Sequence, residues 1–391
     1  MKGKYLLFTA ALTVFLHSCQ TDDAKPIDVK PSDLRILFIE NSEGAPFSKF
    51  TGELKCIDPE GISLTEVTHN TSMSTGFIST SNDYSKVTFH ASVNSPCLTR
   101  DIFSLDPITL SFERKTNSIA RALTRGCQNL TTYSDPWLSP DGSAIAVVKS
   151  GGNRNDAVIL DMDGQEEINL ASIINLEIKD NYKPRWSPDG TKVAFATRHF
   201  TNDEKTEALW RVCVINRDGS NPIFIGSFSE AITTPIWSPD GSQIVYEVFK
   251  QDRTSLFGVD FRTSRIMNSD GTDDRLLAPQ FESVFVENHA WFKDNKRLIA
   301  NVRQDPNSAK NEIVIINTEL GTHLQLTDME PLEKSSLSLS PDEEWVLYVG
   351  SDPTKQPNSD NVWKIRVDGS ENKRLTNINH VRTAQWVKVN L

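Results

Sequence analysis

At 391 residues, with 38% apolar and 24% charged residues, the chain has a globular balance and length for two or three domains or one large repeat assembly. A formal net charge of -11 disfavours nucleic acid as a partner, because counterion release on phosphate backbones rewards basic surfaces. After the N-terminus, no stretch is apolar enough for long enough to span a bilayer.

The first element is the apolar run Tyr5 to Leu16, preceded by Lys2 and Lys4 and followed by His17-Ser18-Cys19. A basic start and a short apolar run mark residues 1–18 as an expected secretion signal. Leu16-His17-Ser18-Cys19 resembles the lipobox of bacterial lipoproteins, which implies that Cys19 is acylated and holds the mature protein on a membrane without spanning it. Gln20 resembles the residue that releases such proteins from the inner membrane, and Asp22-Asp23 resembles the surface-export signal of Bacteroidota lipoproteins. Residues 19–33, polar and carrying Pro26 and Pro31, are expected to be the lipidated cysteine and a short tether.

Leu34 to Glu40 is then a strand by its branched and aromatic content, followed by Glu53 to Asp58 and Ile62 to Thr68 around the turn Asp58-Pro59-Glu60-Gly61. From there one unit recurs: a strand into a Ser-Pro-Asp-Gly turn, a second strand, a variable loop, a third strand into an Asp-Gly turn, and a fourth often ending in Leu-Thr. The turn is written as Leu138-Ser139-Pro140-Asp141-Gly142, Trp186-Ser187-Pro188-Asp189-Gly190 and Trp237-Ser238-Pro239-Asp240-Gly241, and in looser form at Asp83, Asp294 and Asp342. In the second unit the fourth strand is expected at Ala120 to Thr124, and in the fifth the third strand, near Arg265 to Asn268, is poorly patterned.

The turn aspartates are 58, 48, 51, 54 and 48 residues apart, a period that fits a four-stranded propeller blade and its loops. Arg382 to Val389, with Trp386, matches the strand before a turn and has nothing after it; the N-terminus lacks that strand. Pairing 382–389 with 34–40 completes one blade from both ends and leaves no free sheet edge. The expectation is an all-β fold: one β-propeller over residues 34–391, seven blades favoured over six or eight. The Trp-Ser-Pro-Asp-Gly strand, Asp-Gly turn and Leu-Thr ending resemble the TolB-type propeller repeat of Gram-negative bacteria, a resemblance specific for fold and nearly silent on function. The additional N-terminal domain of TolB has no room here, and no Gly-x-Ser-x-Gly elbow follows the propeller.

Both kinds of turn share one face of a propeller, so the variable loops share the other, where binding is expected. The starts of first strands bring Tyr182, Lys183, Asn288, His289 and Arg382 toward the channel on that face, and Arg198, His199 and Arg303 lean over it. A mixed basic and aromatic funnel suits an anionic sugar, a peptide carboxylate or an acidic partner loop. Cys97 and Cys127 are expected to form a disulfide beside one blade, and Cys56 and Cys213 to be buried thiols. The histidines are scattered without metal-ligand spacing, so neither metal nor cofactor is expected. The functional expectation is a monomeric, non-enzymatic, lipid-anchored propeller of the outer membrane that binds an envelope protein or a glycan. The alternative is a propeller lyase or hydrolase acting on a polysaccharide in the funnel.

Overall fold

The computed structural model of the chain describes residues 33–389 apart from 42–51, 69–72, 94–98, 119–130, 153, 175–179, 201–207, 230, 233, 252–259, 280–284, 304–309, 329–332, 352–359 and 379. The strands form seven antiparallel sheets, each four strands deep, arranged as the blades of one propeller. The inner strands of blades one to four are Val381–Lys388, Met73–Thr80, Thr132–Leu138 and Asn181–Trp186. Blade five has two short pieces, Ala231–Ile232 and Ile236–Trp237, and blades six and seven begin with Phe285–Trp291 and Lys334–Leu339. Blade one is built from both ends of the chain as the sequence implies, with Leu34 opposite Lys388 and Ile36 opposite Trp386.

The repeated letters have physical reasons. In the Ser-Pro-Asp-Gly turn the Ser187 carbonyl accepts from Gly190 N at 2.9 Å, and Ser187 Oγ donates to Asp189 Oδ1 at 2.5 Å while accepting from Lys192 N at 2.9 Å. Gly190 has φ +69°, the left-handed conformation that a glycine adopts without Cβ strain. The motif tryptophans join neighbouring blades: Trp186 Nε1 donates to the Trp137 carbonyl at 3.1 Å and Trp237 Nε1 to the Arg185 carbonyl at 3.2 Å. In four blades the threonine that follows the fourth strand points inward. Thr68, Thr327 and Thr376 Oγ1 accept the backbone N–H of Leu54, Ile313 and Val362 at 2.8, 2.9 and 2.9 Å, and Thr116 serves Ile102 in the same way at 2.9 Å. Between neighbouring blades the buried side chains form apolar clusters, such as Leu37, Ile39, Phe89 and Phe103 between blades one and two, so burial of apolar surface binds the ring blade to blade.

Two local expectations change. The fourth strand of blade two is Phe112–Arg114. Asp106 caps a tight turn by accepting from Ile108 N and Thr109 N at 2.8 and 3.2 Å, and Leu110 at φ 58° returns the chain at once, whereas 120–124 lie outside the described residues. The third strand of blade five, Asp260–Asn268, is regular, pairing without a register shift along Gln243–Gln251, and its Arg265 Nε reaches Asp274 Oδ1 at 2.9 Å and its Nη2 the Asp274 carbonyl at 3.0 Å. The irregularity of that blade sits in its split inner strand.

Candidate functional site at the channel wall

Every inner strand breaks register partway along its length. In blades three, four, six and seven the shifts lie between Ser134 and Trp137, Tyr182 and Arg185, Glu287 and Ala290, and Ser335 and Ser338. Blade two breaks between Thr75 and Ile78, blade one at Ile39/Glu40 opposite Arg382, and blade five where its inner strand is interrupted. The first bulged residues Asp135, Lys183, Asn288 and Ser336 all have positive φ, 50°, 51°, 57° and 54°. Each stands four residues before the turn that ends its strand, so the bulges form a ring at one depth of the channel wall. Pro136, Pro184 and Pro235, each three residues before the turn serine, were the signal in the sequence: a proline cannot donate to a ladder and marks a bulge or an edge.

Neighbouring blades hold the bulges in place. His90 Nδ1 accepts the Asp135 backbone N–H at 3.3 Å, and Glu247, at the corresponding position of its own blade, accepts that of Asn288 at 3.2 Å. His90 therefore carries its proton on Nε2, and burial holds its pKa below the ordinary imidazole value against the opposing pull of Asp135. Its ring fills the space beside Gly76, where a Cβ would lie 1.9 Å from Nε2.

The residues expected in the funnel divide by environment. Lys183, Asn288 and Arg382 stand at the breaks, with Asn288 and Arg382 exposed, and Arg198 is exposed on the second strand of blade four. Tyr182 is engaged between blades, stacked on Trp210 at 5.3 Å and accepting from Asn155 Nδ2 at 2.7 Å. His289 is only 8% exposed: its Nε2 lies 2.8 Å from Ser264 Oγ and its Nδ1 3.5 Å from Glu247, and burial pushes its pKa down. Arg303 is paired with Glu333 at 3.3 Å and lies 3.9 Å from Glu287. The His199 side chain and all of Cys19, Cys97 and Cys127 lie outside the described residues. Cys56 and Cys213 are buried free thiols that burial raises to about 11 and about 12, so both stay protonated and inert at neutral pH.

Sequence reasoning missed three residues of the wall. Arg185, two residues before its turn, lies with its guanidinium carbon 4.0 Å from the centroid of Trp137 and 5.4 Å from that of Phe77. The two rings are 5.8 Å apart and tilted by 35°. Phe77, Trp137 and Arg185 belong to the inner strands of blades two, three and four, so the arginine side chain runs across blade three on the channel side. Among the positions two residues before each turn, Ser79, Trp137, Arg185, Ile236, Ala290 and Ser338, only Arg185 is charged. Among the described residues no group of three or more His, Cys, Asp or Glu is placed to share a metal ion.

These features define a seven-bladed propeller with an engaged, partly cationic channel wall. Its repeats and fold are those of a TolB-like β-propeller. No family model matches the chain. It is 24% identical over 223 residues to an uncharacterized peptidase, YuxL, of Bacillus subtilis, a match covering 56% of this chain and 29% of that protein. It is 36% identical over 72 residues to the Tol-Pal system protein TolB of Ruthia magnifica, 17% of each chain. The matches thus span less than a third of the length of these relatives. Among solved structures it resembles an oligogalacturonate lyase in complex with manganese, with a TM-score of 0.58 and 18% identity over 86% of this chain and 84% of that one. It also resembles the β-propeller domain of the Trilobed protease from Pyrococcus furiosus, with a TM-score of 0.59 and 13% identity over 89% and 95% of the two chains. TolB from Acinetobacter baumannii gives a TM-score of 0.50 and 15% identity over 90% and 66%.

The expectation of a non-enzymatic module is corrected by these likenesses. A peptidase stands among the sequence relatives, and a lyase and a protease stand among the similar structures. Repeat chemistry is shared by propellers that serve enzymes and by those that do not, so the turn motif does not discriminate between catalysis and binding.

Proposed function

We propose that the chain is a cell-envelope propeller, held to the outer membrane through acylated Cys19, that binds a protein or glycan ligand at the loop-side mouth of its channel. The observation that supports this reading is the ring of bulges. Such breaks cost ladder hydrogen bonds, and here they recur in all seven inner strands at the wall of one channel. Likeness to TolB supports the envelope. The test is affinity capture on the intact lipoprotein from envelope extracts and glycan arrays, repeated with Arg198→Glu/Arg382→Glu. These exposed cations can be reversed without disturbing a core, and an unchanged ligand set would refute the mouth as the binding site. For the anchor, Cys19→Ala is expected to move the protein into the soluble fraction.

Likeness to an oligogalacturonate lyase over most of the chain favours one further reading, chain cleavage of an acidic polysaccharide in the same channel. Its test is the appearance of ultraviolet-absorbing unsaturated ends when polygalacturonate is incubated with the protein.

A further inference from the structure

Arg185 is 6% exposed, yet among the described residues its guanidinium makes a single hydrogen bond, from Nη1 to the carbonyl of the adjacent Pro184 at 2.9 Å. No carboxylate among the described residues forms an ion pair with it, and Asp135 acts on it only through space. Taking a cation out of water is unfavourable unless a partner compensates, and buried arginines in folded proteins are normally paired. The cost is visible in its acidity: burial brings the guanidinium down to about 10, against the opposing effect of Asp135. The place of the group over Trp137 and near Phe77 gives it a cation–π contact but satisfies none of its remaining N–H donors. An arginine positioned over an aromatic ring with most of its fork unmatched is set up to meet a planar anion.

We propose that Arg185 is the anchor of a carboxylate-binding subsite in the channel wall, where a ligand carboxylate docks on the unpaired edge of its guanidinium against Phe77 and Trp137. A monocarboxylate fits better than a phosphate on two counts. Its plane matches the fork bidentately, and the Asp135 carboxylate nearby repels a multiply charged anion. The subsite rests on the reading of the channel as a binding site, but uses none of the mouth cations whose reversal tests that reading. Carboxylate binding can thus fail while capture at the mouth persists, or the reverse.

The experiment titrates the full chain with sodium galacturonate and with triglycine, each against its neutral counterpart, galactose and triglycine amide. Arginine Nε–H resonances are followed by nuclear magnetic resonance, and affinity is measured by calorimetry. Binding of either acid, at least tenfold tighter than its neutral counterpart and with a shift of the Arg185 Nε–H, is expected; which acid binds tells an acidic sugar from a peptide terminus. Arg185→Lys keeps the charge but not the fork and should lose at least tenfold. Arg185→Gln should abolish binding while leaving the ligand-free melting temperature unchanged or higher, since an uncompensated charge has been removed. The subsite is overturned if neither acid binds, if the Arg185 signal does not move, or if Arg185→Lys and Arg185→Gln bind as tightly as the parent chain.

Discussion

Replacing a threonine that ends a blade by valine keeps its shape and removes one oxygen. At Thr68 the loss leaves the Leu54 N–H, inside the core, without its 2.8 Å acceptor. An orphaned buried donor costs about 1–3 kcal/mol. At Thr116 the same oxygen accepts from Ile102 N and also donates to the fully buried Asp101 carboxylate at 2.8 Å. A bond to a charged group adds about 1.5–3 kcal/mol, so Thr116→Val is expected to cost about 3–5 kcal/mol, well above Thr68→Val. Equilibrium urea denaturation followed by tryptophan fluorescence measures both, with a common slope as the check that the unfolded state has not changed. Thr116→Ser retains both bonds and should recover most of the difference. Equal costs at Thr68 and Thr116, or a cost below about 0.5 kcal/mol at either, would refute the assignment of these threonines as acceptors inside the blades.

Gly190→Ala meets only Pro140 side-chain carbon at 3.5 Å, so its cost is the left-handed backbone alone, about 1–2 kcal/mol, whereas Gly164→Ala would place Cβ 1.9 Å from the Lys115 carbonyl oxygen and should prevent native folding; thermal melts of the two variants compare them. Lys334, buried with Nζ 3.1 Å from Glu312 and 2.6 Å from the Asn311 carbonyl, should lose about 3–5 kcal/mol as Lys334→Met, while Lys334→Met/Glu312→Leu recovers much of it, read as a double-mutant cycle by urea denaturation. His90 and His289 are held neutral by burial, so their folded pKa values lie below the unfolded value of about 6.5. The unfolded chain then binds the extra protons on acidification: stability is fully present above pH about 6.5 and falls as pH drops toward the folded values. Melting temperature should decline over that window, and His90→Gln should flatten the decline.

The blades were legible because Ser-Pro-Asp-Gly and Asp-Gly are local chemistry, each turn satisfied by its own serine and aspartate, and their period counted the units. Closure of the ring was legible from an unmatched first strand at Arg382 to Val389. The fourth strand of blade two was misplaced because Leu123-Thr124 imitates a blade ending, while Lys115-Thr116, whose threonine caps Ile102, lacks the leucine. The wall is another matter. Arg185 sits inside the most repeated motif of the chain, yet its chemistry comes from Trp137 and Phe77, 48 and 108 residues earlier. No local pattern announces a contact made across blades, although Pro136, Pro184 and Pro235 did mark where the strands break.

The joint between Leu34–Asn41 and Val381–Lys388 also bears on how long a folded molecule lasts. It unites segments separated by 339 residues, and closing so large a loop at the outset would cost about 5 kcal/mol of chain entropy. Blades with local pairing form sooner, and the seam zips once they have brought the two ends face to face. Contacts made after the transition state slow unfolding without hastening folding. Tightening this one seam would therefore lengthen the lifetime of the whole ring while leaving its assembly rate alone.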